Sequence, residues 1–203
     1  MYMTDPQPFD AASATEIARP IRVPRGVNVG LVAGTLVECE SGWHPIESLP
    51  RDAVMRTLDD GFARPEQLEW RRVLPRDQAL VVMLPAGCLD ASADLALLPG
   101  QLLLVDTLGD PALDGSHALV PALATLALEG ARALKPERPF EVMTPYFAQS
   151  AVLRVQSGVL LFCAGPEGAD AEPRDAAGDY PCLSLAAARN FLRRRAVRQK
   201  AGA

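Results

Sequence analysis

From residue 27 onward, short apolar runs alternate with clusters of turn residues, a texture of strands rather than of long helices. Residues 35–39 are followed by Glu40, Ser41 and Gly42 and then by the apolar-aromatic run 43–46, which predicts a hairpin. Residues 54–58, then Asp59, Asp60 and Gly61, then Phe62 repeat the design. The Asp-Gly step supplies the positive-φ position that a tight hairpin turn needs. Further strands are predicted over 68–74, 80–84, 102–106, 140–144, 151–156 and 159–163, with a hairpin turn at Gln156, Ser157 and Gly158. Two stretches break the pattern. Residues 120–134 are rich in Ala and Leu at helical spacing, with Pro121 suited to a first turn, and predict a helix. Residues 185–200 predict a C-terminal helix with Ser184 as its N-cap.

These elements divide the chain into four parts. Residues 1–26, with Pro6, Pro8, Pro20 and Pro24, read as an irregular or loosely docked arm; 27–164 form the β domain. Residues 165–182, rich in Gly, Pro, Ala and acids, read as a flexible loop; 183–203 carry the terminal helix and tail. The fold class expected is mostly β, with one or two helices; short strands at this spacing imply a sandwich, a barrel or a curled antiparallel sheet.

Composition narrows the function classes. The 203 residues are 49% hydrophobic and 22% charged, a globular balance, and the formal net charge of -5 argues against a chain built as a whole to hold nucleic acid. The four cysteines, Cys39, Cys88, Cys163 and Cys182, show no C-x-x-C spacing, and only His44 and His117 could supplement them, so no metal site is expected. Free thiols in a reducing compartment are the expectation. The first twenty residues carry Asp5, Asp10 and Glu16 and no apolar core, unlike a signal peptide. No window reaches the roughly 18 to 20 apolar residues of a spanning helix, so a soluble, cytoplasmic chain is expected. Neither a Walker loop nor a Gly-x-Gly-x-x-Gly fingerprint follows a strand, and no cofactor is expected.

One region carries a family pattern. Gly34, Thr35, Leu36 and Val37, then Ser41, Gly42, Trp43, His44, Pro45, Ile46, Glu47, Ser48 and Leu49, continue into Asp52, Val54, Thr57, Asp60, Gly61, Phe62 and Trp70. This succession resembles the opening of a bacterial Hedgehog/intein (Hint) domain: a Gly-Thr strand, a turn ending in Gly, a Pro-hydrophobic-Glu step and a Leu. The resemblance is most specific over residues 30–72; 94–105 and 140–164 match in hydrophobic texture. It implies a horseshoe of kinked antiparallel strands.

It also implies a chemistry. In the family a Cys or Ser at the first residue of the domain attacks the preceding carbonyl, turning a peptide bond into a thioester or ester. A Thr/Ser-x-x-His element polarises the amide and protonates its leaving nitrogen, a contribution of about 10²–10⁴ in rate. Aligned through Gly34 and Thr35, the nucleophile position is Gly30, which has no side chain. The segment matching the histidine element is Leu98, Pro99, Gly100 and Gln101. Leu98 lacks a hydroxyl, and Gln101 can donate a hydrogen bond but cannot deliver a proton near neutral pH. Both catalytic positions depart from the pattern. The expectation is therefore a degenerate member, inactive in autoproteolysis and serving as a structural or protein-interaction module with an unknown protein partner or with itself.

Other residues offer different chemistry. Cys39 and His44 flank the Glu40–Gly42 turn and are the nearest substitutes for a thiol–imidazole pair; with Cys88 they would support residual self-processing or a cysteine-dependent hydrolase. His117 follows Asp114, Gly115 and Ser116 and reads as a loop histidine. The tail residues Arg189, Arg193, Arg194, Arg195, Arg198 and Lys200 form the one concentrated basic patch. Arg193, Arg194, Arg195 and Arg198 could bind an anion or nucleic acid, or could form a solvated face near the negative end of the helix dipole. No aromatics interleave them, so nucleic acid is disfavoured. Asp110, Asp114, Asp170, Glu172, Asp175 and Asp179 read as solubilising loop acids without the spacing of a calcium loop.

Overall fold

A computed structural model describes residues 7–17, 28–58, 60–77, 79–165 and 180–202. Its strands, in chain order, begin with β1 (Ala14–Glu16), β2 (Leu31–Val32), β3 (Leu36–Cys39), β4 (Gly42–Pro45) and β5 (Met55–Thr57). They continue with β6 (Gly61–Ala63), β7 (Gln67–Val73), β8 (Val81–Leu84), β9 (Leu95–Leu97) and β10 (Leu102–Asp106). The last are β11 (His117–Pro121), β12 (Arg132–Pro136), β13 (Phe140–Tyr146), β14 (Ala151–Arg154) and β15 (Leu160–Cys163), before helix α1 (Leu185–Gly202). The chain is mostly β, with one α-helix, at its C-terminal end, among the described residues.

The strands pair antiparallel in two sheets. One runs β1-β12-β8-β9-β2-β13-β7; the other runs β11-β10-β15-β14-β5-β3-β4, with β6 alongside β5. Side-chain alternation on these strands is used on both faces. Leu31, Val82, Leu97 and Met143 of the first sheet share one apolar cluster with Val37, Met55, Leu103, Leu153 and Leu161 of the second. Their immediate neighbours Val32, Val81 and Val142 point the other way, into a smaller cluster with Leu98 and Phe140 that Phe9 covers. The rings of Phe9 and Phe140 meet edge-on at 5.4 Å. Leu102, Leu104 and Phe162 likewise form an outer cluster on the second sheet, against Tyr180 and Cys182.

Ser184 caps α1: its hydroxyl accepts from the Ala187 amide at 3.3 Å and its carbonyl from Ala188 at 2.8 Å. Ala188, Phe191 and Leu192 then complete the main core. Within the segment expected to be an irregular arm, Ala14–Glu16 adds a strand to the sheet edge at β12. Residues 1–6 and 18–26 of that arm and 166–179 of the expected loop, with Asp170, Glu172, Asp175 and Asp179, lie outside the described residues.

The helix expected over 120–134 is corrected. The segment ends β11 at Pro121, forms a six-residue 3₁₀ stretch (Ala122–Ala127) and starts β12 at Arg132. Three features outweigh its Ala/Leu propensity. Pro121 is extended, at φ -69 and ψ 140; Thr125 Oγ1 bonds back to Ala122 O at 2.7 Å; Gly130 turns with φ 80. Each strand flanking the stretch then gains ladder bonds that a helix would forfeit. No helix among the described residues is long and apolar enough to cross a membrane.

Candidate functional site

The Gly-Thr and Pro-Ile-Glu segments are knitted to one another. Gly34, at φ +98, donates its amide to Glu47 Oε2 at 2.9 Å. Thr35 closes a turn through Val32 O, from its amide at 3.0 Å and its hydroxyl at 2.7 Å, while Ile46 N donates to Thr35 O at 3.0 Å. A short 3₁₀ turn over Ile46–Ser48 follows Pro45, which ends the β3–β4 ladder because it has no amide hydrogen. This corner delivers the chain from β2 in the first sheet to β3 in the second.

Gly30 stands at the start of β2, and Gln101 immediately before β10. Although 71 residues apart in sequence, they touch: the Gly30 amide donates to Gln101 Oε1 at 3.1 Å. The other end of the Gln101 amide donates to Phe162 O at 2.8 Å and to Leu102 O at 3.2 Å. Gln101 is 2% exposed. Its side chain thus joins the first residue before β2, in one sheet, to β15, in the other. A second tie runs beside it, since Gly100 N donates to Asn28 O at 2.9 Å. The backbone of the same loop is also occupied, with Leu123 N donating to Pro99 O and Ala122 N to Gln101 O.

Gly30 has no room for anything larger. At its φ of +127 a Cβ would lie 2.5 Å from Val142 Cγ1 and 2.8 Å from Thr144 Oγ1. Gly100 is confined too, with a virtual Cβ 2.7 Å from the Asn28 side-chain amide. Leu98 is fully buried in the outer apolar cluster of the first sheet. The nearest hydroxyl to Gly30 is therefore that of Thr144. Both histidines are bonded elsewhere, His44 Nε2 to Ser41 Oγ at 2.7 Å and His117 Nδ1 to Ser116 Oγ at 2.9 Å. As it stands, the centre can hold an amide hydrogen but has neither an attacking heteroatom at residue 30 nor a proton donor at residue 101 that titrates near neutrality.

The substitutes suggested by the sequence are placed as follows. The β3–β4 register sets Gly42 opposite Cys39 and Val37 opposite His44, so Cys39 and His44 are diagonal and not directly paired. Burial pushes the Cys39 thiol up from its ordinary pKa. Burial and then the Glu129 carboxylate raise that of Cys88, whose thiol points at Glu129 O at 3.5 Å. Cys163 is pushed up to about 12 by burial. None of these three thiols is activated toward thiolate, which is the nucleophilic form.

The arginines of α1 meet aspartates, among them Asp110, which the sequence predicts to be a solubilising loop acid. Asp110, buried, accepts from Arg194 Nε at 3.0 Å and from Arg198 Nη2, and its other oxygen accepts from Ala112 N at 3.0 Å. The Ala112 amide first, and then the two guanidiniums, hold its carboxyl below the usual aspartate range, with desolvation opposing them. Arg195, 2% exposed, donates to Asp106 O at 3.1 Å and to Asp90 Oδ2 at 3.0 Å. With Asp90, Asp106 and His117 it lines a cavity of about 100 Å³. Arg193 is exposed. The patch is thus largely a clamp that holds the helix, a role visible only once residues 84 to 105 positions away are seen beside it. Among the described residues, no cluster of three or more His, Cys, Asp or Glu could hold a metal ion.

Neither a family model nor a curated protein matches the sequence. Among solved structures, the chain is similar to a GSH-linked, splice-inactive variant of the AceL NrdHF class 3 split intein, at 14% identity and a TM-score of 0.44, over 66% of this chain and 95% of that one. It is also similar to a bacterial intein-like domain from Clostridium thermocellum, at 12% identity and a TM-score of 0.43, over 65% of this chain and 96% of that one.

Proposed function

We propose that this chain is a degenerate Hedgehog/intein-like module, in which the self-cleavage centre has become a structural tie and whose role is structural or interactive rather than proteolytic. The observation that carries the reading is the contact of the Gly30 amide with Gln101 Oε1 at 3.1 Å. The sequence pattern independently assigns these two positions to the nucleophile and to the proton-donating histidine, and 71 residues separate them. An accidental alignment would have little reason to select two residues in hydrogen-bond contact. The chemistry that such a centre needs is missing at both ends of that contact: Gly30 has no side-chain heteroatom, and the Gln101 amide, bonded to Gly30, Leu102 and Phe162, has no proton to give near neutral pH. The packing around Gly30 also resists restoration of a nucleophile, because Val142 and Thr144 fill the space a Cβ would take.

The test is intact-mass measurement of the purified chain over time, with and without added thiol or hydroxylamine. An unchanged mass is expected. A time-dependent break between Val29 and Gly30, or a thiol adduct of a fragment, would overturn the inactive reading. If that break vanished in Thr144→Val, the Thr144 hydroxyl would be the nucleophile.

A further inference from the structure

Four residues cross the outer face of the second sheet in a single row. Glu38 on β3 is paired with Trp43 on β4, and Arg56 on β5 with Phe62 on β6. The Cys39↔Met55 pairing brings Glu38 beside Arg56, and their side chains meet at 2.9 Å. Directly paired residues project from the same face, so the row reads Trp43–Glu38–Arg56–Phe62. Its other face carries Val37, Cys39, Met55 and Thr57, all buried in the fold. Three of the four are open to solvent and Glu38 is partly so: Trp43 and Phe62 are each 44% exposed, the Glu38 side chain is 20% exposed, and the Arg56 side chain is 50% exposed above the Phe62 ring, its guanidinium carbon 5.9 Å from the ring centroid. Leu58, 43% exposed, lies just beyond on the same chain as Arg56.

The order of the row is its own complement. Reversed by a two-fold axis lying in the face, parallel to the strands, Trp43 meets Phe62 of a second copy while Glu38 meets Arg56, and Arg56 meets Glu38. Two aromatic contacts flank two charge contacts of opposite sign, the self-matching that an isologous interface requires. We propose that this face is a homodimer interface, closed by a second copy of this chain. The charge order favours that occupant over an unrelated protein. A uniformly acidic or basic partner would find one of the two central charges repulsive; a second copy satisfies both.

The row is short. Aromatic side chains of this size bury about 150–250 Å² each when wholly covered, and these two are already half covered, so the patch falls below the roughly 800 Å² per partner of a durable interface. The dimer is therefore weak and in concentration-dependent exchange. Sedimentation velocity of the full chain, from micromolar to near-millimolar, should show the mass rising toward twice the monomer. Trp43→Ser should weaken association at least about tenfold, since it removes both of the flanking aromatic contacts across the two-fold axis. Glu38→Arg should do the same by setting like charges face to face. The double variant Glu38→Arg with Arg56→Glu restores the complement and should restore dimerisation. Melting curves on each variant separate lost association from lost fold. A wild-type chain that stays monomeric across the range overturns the proposal, leaving the face to a different partner. So does a dimer indifferent to Trp43→Ser, or a charge-swapped double variant that folds but remains monomeric.

Discussion

Replacing Gln101 with leucine keeps a side chain of similar size while deleting every polar contact it makes. In the wild-type chain that amide accepts from Gly30 N at 3.1 Å and donates to Phe162 O at 2.8 Å and Leu102 O at 3.2 Å, all in a buried setting. Leucine strands one buried donor and two carbonyls. The donor alone costs about 1–3 kcal/mol, and each lost bond to a carbonyl about 0.5–1.5 kcal/mol net. Burying a more apolar side chain returns about 1–2 kcal/mol. The balance is a loss of about 2–3 kcal/mol, which for a chain of this size lowers the melting temperature by roughly 4–12 °C. Differential scanning calorimetry at neutral pH reads this directly. Gln101→Glu sharpens the test. One introduced oxygen can still accept from Gly30, but the other faces the Phe162 carbonyl with no hydrogen between them unless the acid is protonated. Folding therefore raises the pKa of the introduced carboxyl. Its deficit relative to wild type should be small below the unfolded value of about 4.3 and should grow as pH rises through the higher folded value. A Gln101→Leu melting point within about 2 °C of wild type, or a Gln101→Glu deficit that shrinks as pH rises, would refute the claim that this residue ties the sheets together.

Three further outcomes are expected. Gly30→Ala places a methyl 2.5 Å from Val142 Cγ1 in a left-handed backbone, and should cost about 2–4 kcal/mol, read as a lower urea midpoint with an unchanged m-value. Asp110→Asn should lower the melting temperature more than Arg194→Gln, because Arg198 loses its partner as well. Since the Asp110 pKa is depressed, the wild-type contribution is complete above the unfolded aspartate value and disappears as pH falls through the folded one, so the variant should flatten the acid limb of the stability–pH curve. Cys39 and Cys163, buried and with raised pKa values, should resist alkylation at pH 7.5 in the native chain and react on unfolding, as followed by mass spectrometry.

Much of the strand order was legible because turn chemistry and alternation agree. Gly42 and Gly61 both take positive φ at the first residue of the returning strand, and the runs around them became β3–β4 and β5–β6. β7, β8, β10, β13, β14 and β15 fall on the predicted apolar runs, and α1 begins after its Ser184 cap. β1, β2 and β9 are two or three residues long, too short for any periodicity to register. The 120–134 error arose because an Ala/Leu-rich run is apolar on all sides whether it folds as helix or as buried strand. Only its tertiary neighbours decide. The candidate site was legible as a pair of departures from a pattern, Gly30 and Gln101, but not as a contact. The acids that clamp α1 were also visible as residues, yet a loop aspartate carries no local mark that distinguishes a guanidinium partner from solvent.

The position of α1 has a kinetic consequence. Ala188, Phe191 and Leu192 fill the main core, and Arg195 reaches back to Asp90. During synthesis, then, β2 must await β13, whose Met143 pairs with its Leu31 across more than half of the sequence, and an apolar gap stays unfilled until α1 is made. A chain interrupted before α1 would expose that gap, and would become a client for chaperones rather than a smaller working version of the protein.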